Sequence, residues 1–214
     1  MTPREALTIG AKELGITLSE KQVNSFFIYF IELKKWNNKI NLTSIRDERD
    51  IVIKHGLDSL SFTLGIALDS SVNLLDLGSG AGLPALPIKI THPEVAVTLV
   101  ESVKKKASFL RHIIRLLALN KIDVIDRRIE ELPVSYQATF NVVTARAFTD
   151  MKSVLSIGVP FLKPGGLVIL SRGPEETILD HDLVQVGCTL EKKIRLILPH
   201  SNYKRQIWVF KRIS

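Results

Sequence analysis

The run Leu74-Leu75-Asp76-Leu77-Gly78-Ser79-Gly80-Ala81-Gly82-Leu83-Pro84 sets an acid and three glycines between an apolar segment and a helical one. Glycines at 78, 80 and 82 let the backbone turn tightly and approach a ligand with no Cβ in the way. A glycine loop joining a strand to a helix occupies the crevice where open α/β sheets bind ligands. The spacing here is G-x-G-x-G, whereas dinucleotide folds that cradle a pyrophosphate usually show G-x-G-x-x-G. Asp76 would sit poorly beside a pyrophosphate and suits a cationic ligand, such as the amino and sulfonium groups of S-adenosylmethionine. Glu101 ends a second apolar run, 19 residues beyond Gly82, the spacing at which an acid accepts hydrogen bonds from an adenosine ribose. Alone, Asp76 could be a helix cap and Glu101 a surface acid. Together, each with a strand before it, they favour a nucleoside cofactor.

Other residues carry weaker signals. Arg146, between Ala145 and Ala147 at the end of another apolar run, could pair with Asp76 or Glu130, or could donate to a bound base. His55 on a helix could be packed and hydrogen-bonded or could lie near an active site. Asn41 and Arg46 could cap the following helix or touch substrate. Cys188 is the single cysteine, which removes an intramolecular disulfide framework and any multi-cysteine metal site; it reads as a small buried apolar residue. No metal is expected.

The elements that must position these groups change character near residue 70. Thr2-Pro3-Arg4-Glu5 and Ser19-Glu20-Lys21-Gln22 are capping boxes. Gly15 stops the first helix, and Val23, Phe26, Phe27, Phe30, Leu33 and Trp36 form an apolar seam on the second. A loop at 37–44 precedes a further helix from about Asp47 to Leu68. From Val72 short apolar runs alternate with helical patterns: Val72 to Leu77, Val95 to Val100, Ile122 to Ile125, Phe140 to Thr144 and Gly166 to Ser171. That alternation predicts a parallel sheet covered on both faces. Cys188 to Leu198 and Arg205 to Phe210 read as an antiparallel hairpin at one edge. The fold class is α/β, Rossmann-like, with seven strands, and the expected organisation is a helical extension at 1–69 packed on a core domain at 70–214.

Charge has an address. Of a net +7, residues 1–69 contribute none, with nine basic and nine acidic side chains, whereas 70–214 hold twenty and thirteen. The excess concentrates at 104–128 and 192–214, which favours an anionic partner. The N-terminus has no apolar signal region, and no apolar run approaches the roughly 20 residues that span a bilayer. A soluble, cytoplasmic monomer with no membrane partner is expected.

The chain resembles the class I S-adenosylmethionine-dependent methyltransferases, and more narrowly the RsmG (GidB) family. Trp36-Asn37, Asn41 to Arg46, His55 with Asp58-Ser59, Asp76 to Pro84, Lys105-Lys106 with Phe109-Leu110-Arg111, Arg128 to Glu131 and Arg146-Ala147-Phe148 carry the likeness. It implies methylation of N7 of a guanosine in the 530 loop of bacterial 16S ribosomal RNA, with free RNA or the small ribosomal subunit as partner. It further implies that Gly78 and Leu83 contact the cofactor, that Ile129 and Glu130 lie beside its adenine, that Glu101 takes the ribose, and that Arg146 reaches the cofactor or the target. Two positions depart from the family pattern: Ala85, where glycine is frequent, and Ser171-Arg172-Gly173, where a lysine-glycine pair is frequent.

Guanine N7 presents a lone pair and no proton, so the reaction needs alignment rather than a general base. The chain has neither an Asn-Pro-Pro-Tyr or Asp-Pro-Pro-Tyr run for an exocyclic amine nor a Pro-Cys nucleophile. Side chains cannot read N7 in the deep, narrow groove of A-form RNA, so an unstacked base is expected. Lys104, Lys105, Lys106 and Arg111, with Lys204, Arg205, Lys211 and Arg212, are the candidate phosphate contacts. An NAD-dependent oxidoreductase and a small-molecule methyltransferase are the alternatives on the same fold.

Overall fold

Two reciprocal caps start the chain. In α1 (Pro3–Glu13) the Thr2 hydroxyl accepts from the Glu5 N–H while the Glu5 carboxylate accepts from the Thr2 N–H at 2.7 Å. The α2 helix (Glu20–Asn37) opens on the same device, Ser19 with Gln22. The Gln22 amide also donates to the carbonyls of Ile90 and Thr91, so one cap residue ties α2 to the core. The buried face of α2 is Val23, Phe26, Tyr29, Phe30 and Leu33. Phe27 and Trp36, expected in that seam, stand at its half-buried margin.

The segment expected as one helix is a series of turns of different pitch: α3 (Glu48–Ile51), a π turn (Val52–Leu57), α4 (Asp58–Leu60) and a 3-10 turn (Ser61–Gly65). It stops at Gly65, short of Leu68. Asp47 caps α3 through the Asp50 N–H at 2.9 Å, so neither Asn41 nor Arg46 is the cap.

The rest follows as β1 (Asn73–Leu77), α5 (Ala85–Thr91), β2 (Ala96–Val100), α6 (Lys104–Leu116), β3 (Ile122–Ile125), β4 (Phe140–Ala145), α7 (Met151–Gly158), β5 (Leu162–Arg172), α8 (Asp180–Gln185), β6 (Cys188–Ile197) and β7 (Lys204–Arg212). The computed structural model describes residues 1–146, 150–173 and 175–213; Ala147 and Phe148 of the Arg146 motif fall outside them. The strands form one sheet in the order β3-β2-β1-β4-β5-β7-β6, with the first five parallel and β7 antiparallel to both neighbours. The β5 strand starts at Leu162, four residues before the expected Gly166, across a register shift in its pairing with β4.

Side chains alternate across the sheet with the two-residue period of a strand. Leu74, Val142 and Ile169 join α1, α2, α5 and α6 in one core; Leu75, Val143 and Leu170 join α7 in the other. The helices before residue 70 therefore bury the same face of β1 as α5 does. By the same alternation Asp76 lies on the α2 side, opposite its register partner Thr144 on β4.

Register also gathers the strand ends. Leu77 lies beside Val100 on one side and Ala145 on the other, so Gly78, Glu101 and Arg146, each the next residue, leave the sheet at one edge. The hairpin divides its cations differently from expectation. Because β7 runs antiparallel, Lys204 and Arg205 start at that same edge, while Lys211 pairs with Leu167 and Arg212 with Cys188 at the far end, ~26 Å away at ordinary strand rise. Lys211 and Arg212 cannot share a surface with Lys104 to Lys106.

Among the described residues no helix is long and apolar enough to cross a membrane.

Candidate active site

The glycine loop is held from three sides. The Ser79 N–H donates to the Val100 carbonyl at 2.9 Å, and the buried Tyr29 hydroxyl donates to the Ala81 carbonyl at 2.8 Å. Glu101 takes the third side: its two carboxylate oxygens accept from the Gly80 and Val103 N–H groups, each at 2.8 Å. At 5% exposure Glu101 is no surface acid. Gly80 has φ +55°, and a Cβ there would touch only the Gly78 carbonyl oxygen, at 3.8 Å; Gly82 has φ +88°, and a Cβ there would meet Leu86 Cδ1 at 2.3 Å. The first glycine gives a ligand access to the backbone, and the second lets α5 begin.

Asp76 is fully buried and caps no helix. Thr144 donates to its Oδ1 at 2.7 Å, and its Oδ2 has no partner among the described residues. Burial pushes its carboxyl up to about 7, against the pull of the Thr144 hydrogen bond. A buried oxygen left without a donor is costly, and a cationic ligand group would relieve it.

Two cavities flank the loop and share Gly78. The first, about 210 Å³, is lined by Gly78, Val100, Ser102, Arg127, Arg128, Ile129 and Glu130. Ile129 is buried there and Glu130 is exposed on a 3-10 turn. The second, about 320 Å³, is bounded by Leu42 to Ile45, His55, the loop from Gly78 to Ala81, Leu83, Lys106 and Arg146. Together they fall within the range of small-molecule sites. The unpartnered Asp76 oxygen, the open flank of Gly80 and the acid at Glu101 fit a nucleoside carrying a cationic tail.

The second cavity is built by hydrogen bonds between distant segments. Asn37, at the end of α2, donates to the Thr43 carbonyl at 2.8 Å and accepts from the Leu42 and Thr43 N–H groups, fixing the loop. Thr43 Oγ1 lies 2.8 Å from His55 Nε2. His55 Nδ1 lies 3.1 Å from the Lys54 carbonyl, which can only accept, so Nδ1 carries the proton and Nε2 accepts from Thr43. Burial and then the nearby Arg146 charge push His55 down to about 4, leaving it neutral.

Arg146 is paired with neither Asp76 nor Glu130. Its Nη2 donates to the Lys54 carbonyl and to Asp58 Oδ2, the latter at 3.1 Å, because the π turn carries Lys54 and hands on to Asp58, the first residue of α4, beneath the end of β4. Its Nη1 is buried and has no partner among the described residues. Asp58 binds a second arginine through its other oxygen, Arg205 Nε at 3.1 Å.

Of the other basic candidates, Lys104, Lys105 and Lys204 are exposed and Lys106 is half-buried in the second cavity wall. Arg111 pairs with Asp126 at 3.3 Å and Arg205 with Asp58, so both have lost part of their freedom. Thr43, Asn37 and Asp58 had no role in the sequence reading beyond belonging to motifs; their parts depend on contacts 5 to 147 residues apart.

A seven-stranded sheet in this order with antiparallel β7, and an acid-flanked glycine loop at the carboxyl edge of β1, define a class I S-adenosylmethionine-dependent methyltransferase. The S-adenosylmethionine-dependent methyltransferase from Aquifex aeolicus has the same fold, with a TM-score of 0.58 at 13% identity, covering 79% of this chain and 96% of that one. The chain belongs to the GidB family, rRNA small subunit methyltransferase G, whose pattern matches residues 22–207. Ribosomal RNA small subunit methyltransferase G of Roseiflexus castenholzii is 42% identical over 184 residues, covering 85% of this chain and 77% of the relative. The protein of that name from Geobacter metallireducens is 38% identical over 213 residues, covering 98% and 96%.

Proposed function

We propose that the chain transfers a methyl group from S-adenosylmethionine to N7 of a guanosine in the 530 loop of 16S ribosomal RNA. The observation that carries this reading is the second cavity, where a guanidinium N–H without an acceptor among the described residues stands beside an imidazole whose two nitrogens are both engaged. Such a lobe has a donor for a base edge and no free proton acceptor in its imidazole, which suits an atom that attacks through a lone pair. S-adenosylmethionine, when bound, supplies a methyl on a sulfonium open to in-line displacement.

In this reading Asp76, Gly78, Gly80, Gly82 and Leu83 hold the cationic tail, Glu101 the ribose, and Ile129 with Glu130 the adenine. Arg146 donates from Nη1 to guanine O6 and presents N7. His55 orients the Thr43 loop and the Lys54 carbonyl and moves no proton. Residues 1–69 form a helical extension that supplies one wall of the target lobe, and 70–214 form the methyltransferase domain. Lys104, Lys105, Lys106 and Lys204 contact phosphates along the carboxyl edge, with Arg111 and Arg205 in support. From β2 to β7 that edge is four strand spacings, ~19 Å, enough for several nucleotides flanking an unstacked base. The reading takes the chain as a cytoplasmic monomer acting without a metal, since sulfonium displacement calls for no Lewis acid.

The test is to incubate the protein with methyl-labelled S-adenosylmethionine and either naked 16S RNA or intact small subunits, then to map the label by mass spectrometry. Label on N7 of a guanine in the 530 loop is expected. Label on an adenine, on a ribose or nowhere overturns the reading.

A further inference from the structure

Asp58 is bonded both to the target cavity and to a second groove. That groove, about 310 Å³, lies at the start of the hairpin and is lined by Arg195, Leu196, Ile197, Lys204, Arg205 and Gln206. Arg205 forms part of its wall and gives Asp58 Oδ1 its Nε bond at 3.1 Å; Arg146 lines the target cavity and gives Asp58 Oδ2 its Nη2 bond, also at 3.1 Å. The carboxylate is 3% exposed, against 16% for the Arg146 side chain and 26% for Arg205. Ser171 adds a hydroxyl contact at 3.4 Å to the same oxygen that Arg205 uses.

One carboxylate cannot neutralise two guanidiniums, so the trio keeps a single excess positive charge where solvent is largely excluded. Water screens such a charge poorly. In the hairpin register Arg205 shares a face with Leu196, whereas Arg195 and Lys204 belong to the other face, so Arg205, with its side chain 26% exposed, is the groove's phosphate contact on the Asp58 side. A phosphate bonded to Arg205 competes with Asp58 for that guanidinium, and the charge released on Asp58 tightens its hold on Arg146. Linkage makes the effect reciprocal: whatever Arg146 binds alters the affinity at Arg205 by the same factor.

We propose that Asp58 is a positioning residue that couples an RNA phosphodiester held in the hairpin groove to the orientation of Arg146 in the target cavity. The proposal rests on the reading of RNA as substrate and goes beyond it, since independent phosphate and base contacts would serve that reading equally well.

A binding cycle that needs no cofactor tests it. The affinity of the full-length protein for a synthetic 16S hairpin carrying the 530 loop is measured for wild type, Arg146→Ala, Arg205→Ala and the double variant, then for the same set with Asp58→Asn added. In the native background the two losses are expected to miss multiplying by about fivefold or more; with Asn at 58 they multiply to within about twofold. Losses that multiply in the native background, or a mismatch that survives Asp58→Asn, overturn the coupling. Should Asp58→Asn not fold, the native-background cycle decides alone, because Arg205→Ala leaves the Asp58–Arg146 pair in place. At saturating RNA, Asp58→Asn is also expected to slow single-turnover methylation about tenfold with cofactor affinity within about twofold, a split that general loosening would not give. Wild-type protein that binds the hairpin and methylates no guanine refutes the functional reading while the cycle still decides the coupling; no binding at all refutes both.

Discussion

The two cavities on either side of Gly78 are made in opposite ways. The first is assembled from neighbouring strand ends: Val100 beside Leu77, Ile125 beside Val100, and the short 3-10 turn that follows β3. Its contacts come from the backbone course of a parallel sheet. The second draws on the end of α2, the loop after it, a π turn and the end of β4, joined by Asn37, Thr43, His55 and Asp58. A site that must fit one fixed small molecule can be written in local spacing. A site that must present one atom of an RNA base depends on side chains locked by other side chains, and it fails when any link is cut.

The sharpest way to separate the two is Arg146→Ala. Loss of one preorganised donor is expected to slow single-turnover methylation by about 10²- to 10³-fold, with cofactor affinity from calorimetry changed by less than about threefold. His55 probes the same wall through pH. Native His55 stays neutral down to about 4, while the unfolded chain takes up the proton near 6.5. Stability is therefore lost as pH falls from 6.5 towards 4, by about 3 kcal/mol at most. Asp76 works the other way over 3.8 to 7, where the native state keeps a proton that the unfolded chain releases. The difference between wild type and His55→Gln in denaturant melts cancels the Asp76 part; a difference that does not vary with pH would show that His55 is not held neutral.

On the cofactor side Gly82→Ala forces a Cβ against Leu86 Cδ1 at φ +88°. A stability loss of about 2 kcal/mol is expected, measured by thermal unfolding, with RNA affinity retained once folded. Glu101→Ala removes two charge-assisted bonds, one to the glycine loop at Gly80 and one to Val103 before α6, and the proposed ribose acceptor; cofactor binding is expected to weaken about tenfold and RNA binding to stay unchanged. The smallest effect is the Asp76 titration. Its carboxyl ionises near 7, so affinity for a cationic cofactor is expected to rise a few-fold between pH 6 and 8, and Asp76→Asn to abolish the trend.

This contrast also explains what could be read in the sequence. Capping boxes at Thr2 and Ser19, the short apolar runs of the strands and the hairpin were legible because each is decided within a few residues. The acids at 76 and 101 were legible because parallel register carries the ends of β1 and β2 to the same edge. The partner of Arg146 was not, since Asp58 reaches it only through the π turn, whose extra residue leaves no periodic trace. Nor was the division of the hairpin cations, because the run at 192–214 looks uniform until antiparallel pairing separates Lys204 from Arg212 by the length of β7.

A crystal structure of the protein grown with S-adenosylmethionine tests the central claim, that one cavity holds the cofactor and the other receives the base. Density for the adenosine between Val100, Ser102 and Ile129, with the ribose on Glu101, the cationic tail along Gly80 and Leu83, and the side of the second cavity at His55 and Arg146 left open, is the result this account requires. Adenosine density in the cavity of His55 and Arg146 would contradict it.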